Sequence, residues 1–437
     1  MRSLTAFQIV IIAICLLGIV GGVVAFATYR SGSSADDLPP MTLWGSVPRE
    51  QMESFLANSQ ALRDTKVQLS YVEKRAESLE AELVDALASG RGPDLILAPQ
   101  ELILRQQGKL AVLPYGNLSE RDFKNSFIGG GEIFLLPEGV LAQPVLVDPL
   151  VLYWNRTLLT NAGVANPPRF WDELFTLAPL VSERDKQGNI TRSLVAFGEY
   201  GNVSGAKAIL SALILQGGNA IVGKDSSGRF TALLGLTTPD DLSPVESAVR
   251  FYTDFSNPSK SIYSWNRGLP QSQEMFAAGK LGLYVGFASE LPAIRAKNPN
   301  LDFDLAALPQ VRDGARVATY GRLYAFAVPR ASANQGYALL GAMRLTQAAP
   351  AQEFANALGI PPARRDLLAA TPADPYLVVL YRAALQSLSW LDLDAVGSDA
   401  VFRRMIESVT SGRARIGESV NRANAELQEV LNRFNAF

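Results

Sequence analysis

The chain has 437 residues, enough for roughly two or three domains that each bury a sizeable core. Forty Lys and Arg face 42 Asp and Glu, a net charge of −2 with no long run of one sign, so the basic footprint of a nucleic-acid binder is missing. Histidine is absent and the one cysteine is Cys15, which excludes Ser-His-Asp and Cys-His nucleophiles, His-ligated zinc, redox cysteine pairs and disulfides.

After Arg2, residues 7–28 are almost wholly apolar, interrupted by Gln8 and followed by Arg30 and the polar stretch SGSSADDLPP. About 20 such residues at 1.5 Å rise suffice to cross a bilayer core. The run reads as a transmembrane anchor or an export signal. Ala25-Phe26-Ala27 has the small-x-small form of a cleavage site, but the run is longer than a usual signal core, which favours an uncleaved anchor. Ile14 before Cys15 argues against a lipoprotein site. Residues 1–6 would then stay in the cytoplasm, 29–40 form a linker, and Met41 onward lie outside it, periplasmic or extracellular.

From Met41 the hydrophobic period alternates between two and 3.6. The spacing predicts strands over 41–44, 67–72 and 94–98, with helices over 49–62 and 75–89. This β-α-β-α-β order argues for an α/β fold with a mainly parallel sheet covered by helices, and ligands on such sheets bind at the carboxyl ends of strands. Beyond residue 150 the chain is more helical. Strand signals return over 303–308 and 323–328, and helices dominate from Gln335 to the end.

Five collinear segments then carry a resemblance: Leu43-Trp44-Gly45; residues 87–96, LASGRGPDLI; Leu152-Tyr153-Trp154-Asn155-Arg156 with residues 167–174, PPRFWDEL; residues 276–283, FAAGKLGL; and residues 359–365, GIPPARR. Their order and spacing resemble the family 1 extracellular solute-binding proteins of ABC transporters, to which the maltodextrin-binding proteins belong. The resemblance implies a two-lobed, periplasmic-binding-protein-like (type II) fold with hinge strands, lobe one being 41–147 with 301–331 and lobe two 148–300 with 332–437. It implies a monomer that binds a small ligand, expected to be a sugar or oligosaccharide, for ABC permease subunits. It implies no enzyme activity, and no cofactor or metal is expected.

Sugar binding needs flat apolar faces and bidentate polar groups on walls that close together. By resemblance the cleft would draw on Trp44, Glu101, Asp148, Glu199, Tyr200, Asn202, Trp265, Asn266, Phe287, Tyr320, Arg322 and Tyr324. Several have a plain alternative. Trp44 and Phe287 also suit a core, Asp148 before Pro149 suits a solvated or capping acid, Glu101 suits a helix first turn, and the 197–202 loop suits a simple turn. Gly129-Gly130-Gly131 lacks the Lys-Ser/Thr of a phosphate cradle, and Asp392, Asp394 and Asp399 lack the closing Glu of a calcium loop and read as surface acids. Two other classes stand beside transport: an anchored sensor or adhesion module, and a carbohydrate-active enzyme for which Asp148 and Glu199 are the nominable carboxylate pair.

Overall fold

The computed structural model describes residues 38–236, 243–312, 314 and 316–435. The expected anchor at 7–28 lies outside the described residues. Among those described, no helix is long and apolar enough to cross a membrane.

Eight strands carry the architecture: β1 (Met41–Gly45), β2 (Leu69–Glu73), β3 (Leu95–Pro99), β4 (Gln143–Asn155), β5 (Ile190–Val195), β6 (Leu281–Phe287), β7 (Phe303–Ala306) and β8 (Thr319–Ala327). They join one sheet in the order β2-β1-β3-β8-β4-β6-β5, with β7 pairing β4, Glu183–Arg184 extending the β5 edge and Ser387–Leu388 pairing β8. The β2-β1-β3 end is parallel, as the sequence predicts. β4 is the exception to ordinary strand length: all 13 residues are buried, and it changes partners along its course. Gln143–Pro149 pairs with β8 and Leu150–Trp154 with β6. Pro149 stands where the ladder changes partner, a position at which a missing N–H costs least.

Two cores follow. One lies on the outer face of the β2-β1-β3-β8 region, where Met41, Leu43, Phe55, Leu97 and Phe326 meet Ala338, Ala342 and Phe354. Phe55 and Phe354 pack with ring centroids 4.9 Å apart. The other fills the opposite face and continues through the second lobe, around Tyr153, Phe197, Tyr252, Trp265 and Phe276.

Three expectations differ from the structure. The helix expected over 49–62 is broken at Ser59, whose hydroxyl accepts from the Leu62 N–H and donates to Glu353. The division of the lobes also shifts: helices Gln335–Leu345 and Ala348–Leu358 pack into the first lobe's core, not the second's, because their apolar faces meet β1 and β8. β7, expected in lobe one, pairs with residues 152–155 at the second-lobe end of β4.

Candidate functional site

A cleft of about 630 Å³ opens between the lobes at the carboxyl ends of β1 and β3. Its floor is β8. Alternation puts Tyr320, Arg322 and Tyr324 on one face of that strand, and all three line the cleft. Glu101 joins them from the helix Gln100–Arg105, which follows β3 directly, and Phe287 joins from the end of β6. The Arg322 guanidinium lies 4.5 Å from the Phe287 ring centre, a cation-π contact that holds its plane toward the cavity.

The floor is electrostatically tense. Burial pushes the Glu101 carboxyl above its usual range, opposed chiefly by Arg322. Burial also works against the charge of Arg322, but Glu101, Tyr324, Tyr320 and Asp148 outweigh it and leave the guanidinium above its ordinary value. Tyr320 Oη accepts from Gln100 Nε2 at 3.1 Å and reaches Glu101 at 3.4 Å, while Gln100 Oε1 accepts the Leu323 N–H. This fixes the floor's side chains before any ligand arrives.

The second wall comes from the 199–207 loop and a C-terminal helix, Ala395–Thr410. Tyr200 donates to Asp399 at 2.6 Å, and Arg403, one turn on, pairs with Asp399 at 3.4 Å and covers the Tyr200 ring at 4.9 Å. Lys207, at the start of the buried helix Ala206–Gln216, donates to Asp392, Ala395 O and Ser398. Asp392 is fully buried and Asp394 nearly so, which corrects their reading as surface acids: a buried carboxylate persists when paired, and Lys207 and Arg105 supply the pairs. Arg105 bridges the rim, bonding Glu80 at 2.9 Å on its own lobe and Asp394 at 3.1 Å on the other.

Six of the twelve residues singled out in the sequence line this cleft: Glu101, Tyr200, Phe287, Tyr320, Arg322 and Tyr324. The others are placed elsewhere. Trp44 is half-buried with Lys74 Nζ 4.0 Å over its ring. Asp148 is wholly buried and accepts from the Ser289 N–H at 2.9 Å and hydroxyl at 2.7 Å; burial raises its pKa to about 6. Trp265 is a core residue whose Nε1 donates to Asn202 Oδ1, and Asn202 spends its amide on Asn266 O and Leu269 O. Asn266 bonds Tyr263 Oη and the Gly268 N–H. Glu199 pairs with Arg267 at 3.4 Å in an adjoining compartment. Asp148 and Glu199 therefore do not face each other across the cleft as a carboxylate pair would. Among the charged lining residues, Glu77, Glu80, Arg105, Lys207, Asp399 and Arg403 were not singled out for the cleft in the sequence. Among the described residues no group of His, Cys, Asp or Glu is arranged to hold a metal.

Two α/β lobes joined by shared strands, with a pre-ordered polar and aromatic cleft between them, define a two-lobed solute-binding protein. The chain matches the model for bacterial extracellular solute-binding proteins over residues 50–362 and belongs to that family, whose members bind and do not catalyse. Among curated relatives, a binding protein of Brucella abortus (strain 2308) is 26% identical over 246 residues, 55% of each chain. The chain thus spans about half the length of that relative. The maltodextrin-binding protein MdxE of Bacillus subtilis (strain 168) is 25% identical over 317 residues, 68% of this chain and 67% of its own. Among solved structures, the cyclic alpha-maltosyl-1,6-maltose binding protein of Arthrobacter globiformis shares the fold with a TM-score of 0.73 at 16% identity, over 90% of this chain and 99% of that one. A cyclo/maltodextrin-binding protein complexed with maltotetraose gives 0.70 at 15% identity, over 92% and 98%.

Proposed function

We propose that this protein captures a neutral sugar or oligosaccharide outside the cytoplasm and hands it, as a monomer, to the permease of an ABC importer. The observation that carries the reading is the balance of the cleft. Glu77, Glu80, Glu101 and Asp399 are matched by Arg105, Lys207, Arg322 and Arg403, and four aromatics border the cleft, Tyr324 the most open and Tyr200, Phe287 and Tyr320 nearly buried. Net-neutral walls with many hydrogen-bonding groups suit hydroxyls, and aromatic faces suit the C–H face of a pyranose. Relatives described as maltodextrin-binding and diacetylchitobiose-binding proteins support the same class.

A thermal-shift screen over sugars, polyols, amino acids and peptides tests the class, since a ligand at 100 times its Kd adds about 2.7 kcal/mol. The expected result is a shift with sugars alone. A shift confined to amino acids or peptides would overturn it. Delivery is tested by deleting the gene and following uptake of the sugar that shifts the melt. Residues 7–28 would tether the receptor, so protease added to intact cells should digest the folded part.

A further inference from the structure

The cleft has a neighbour. A second compartment of about 520 Å³ is lined by Glu199, Arg267, Gln271, Glu407 and Arg413, with Leu269 and Pro270 as its apolar part. Gly201 lines both compartments. Each volume alone falls in the roughly 300–1,000 Å³ range of a single small-ligand site, and joined they exceed it. The second compartment repeats the chemistry of the first. Two acids, Glu199 and Glu407, are matched by two arginines, Arg267 and Arg413.

The backbone gives a reason for two glycines of this loop but none for the third. Gly198 has φ +99°, and a Cβ there would stand 2.5 Å from Ser256; Gly205 has φ +67° at the start of the helix Ala206–Gln216. Gly201 has no positive φ, and the nearest atom to where its Cβ would stand is Arg403 Nη1, 3.9 Å away. Its carbonyl is held by Gln271 Nε2 at 3.1 Å. A Cβ at 201 would meet one atom at ordinary contact distance, so the fold does not require glycine there, and its missing side chain leaves room between two cavities.

We propose that the binding site continues past Gly201 into the second compartment, so that the ligand is a neutral hydroxyl-bearing chain longer than the cleft, threaded over the bare backbone at 201. This rests on the carbohydrate reading above. A side chain at 201 should close the passage without disturbing the fold.

The test is calorimetric titration of the full chain with ladders of neutral gluco-, manno- and N-acetylglucosamine oligomers from single rings upward. In the unaltered protein, affinity should rise with length past the number of rings the cleft holds. Gly201→Phe should remove that gain, weakening the long members by about tenfold or more, the equivalent of ~1.4 kcal/mol, while Arg413→Ala, outside the cleft lining, should leave the shortest binding member within about twofold. Arg413→Ala, which lies only beyond the passage, should also cut the gain and serves if Gly201→Phe fails to fold. Long members that bind no tighter than short ones, or a gain that survives both substitutions, would overturn the proposal and leave the carbohydrate reading intact. If no ladder binds at all, the carbohydrate reading falls and the threaded chain with it.

Discussion

Two polar regions of the molecule, one in the second lobe and one on the cleft floor, look alike in sequence and behave oppositely in the structure. Around Trp265, every polar group is spent internally: the indole N–H on Asn202, the Asn202 amide on two carbonyls, Asn266 on Tyr263 and Gly268. Along β8 and its surroundings, Arg322 has an aromatic face beneath it and, among the described residues, no carboxylate within ion-pair distance, and Glu101 has one long bond from Tyr320. Ligand binding needs groups whose hydrogen-bonding capacity is left over after folding. A polar or aromatic residue near a cleft contributes to binding only to the extent that the fold has not already used it.

Substitutions in each region should break along this line. The largest effect is expected for Trp265→Ala, which empties a core position and orphans the Asn202 carbonyl; unfolding by urea should show a loss of ~3–5 kcal/mol. A variant that folds with near-normal stability but binds nothing would reverse the contrast. Next comes Asp148, a carboxyl spent on Ser289. Its folded pKa of about 6 lies above the ordinary value of 3.8, so its contribution is fully present below pH 3.8 and is lost as pH rises through about 6. The shift corresponds to about 3 kcal/mol. Asp148→Asn, which keeps the neutral shape, should flatten stability against pH over that window while leaving the hydrogen bonds to Ser289 largely in place; an unchanged slope would mean the group titrates normally.

On the open side, Arg322→Gln should weaken binding of a thermal-shift hit by roughly 10–100-fold, the range of a charge-assisted bond of ~1.5–3 kcal/mol, with secondary structure intact by circular dichroism. Loss of stability with unaltered affinity would place Arg322 with the spent groups. The smallest effect is expected at the rim. Arg105→Ala removes a bridge between the lobes whose Arg side is partly exposed, while Arg433 at 3.6 Å and the Gly397 N–H still hold Asp394, so the cost should stay under ~1 kcal/mol and affinity should fall by less than about fivefold. Small-angle scattering should show an unliganded particle that is slightly larger.

The parallel end of the sheet was legible because β1, β2 and β3 and their helices each carry a clean local period. The residues of the cleft floor came by resemblance, since the strand signal over 323–328 takes in only Tyr324 of the three, while the strand itself runs from Thr319 to Ala327. The rest depends on contacts that no local window contains. Asp392 sits in an acid-rich stretch that reads as surface, and only Lys207, 185 residues earlier, buries it. Arg403 and Asp399 look like an ordinary helical ion pair until Tyr200 is brought under them. Trp265 and Phe287 are both large, apolar and buried; that one is closed in behind Asn202 and the other borders the cleft beside Arg322 is decided by packing, not by their neighbours in the chain.

The course of β4 and β8 bears on when the protein can fold. β3 pairs with β1 on one side but finds its second partner only in residues 324–327, and the first lobe's core closes only when the helices up to Leu358 arrive. Everything between, including most of the second lobe, is synthesised first. Pairing so distant in sequence is slow, because the loop entropy is lost before the contacts are gained. A chain emerging from the ribosome therefore holds β1, β2 and β3 without a finished sheet until about three quarters of it has been made, the unfolded interval that the proposed passage out of the cytoplasm would need.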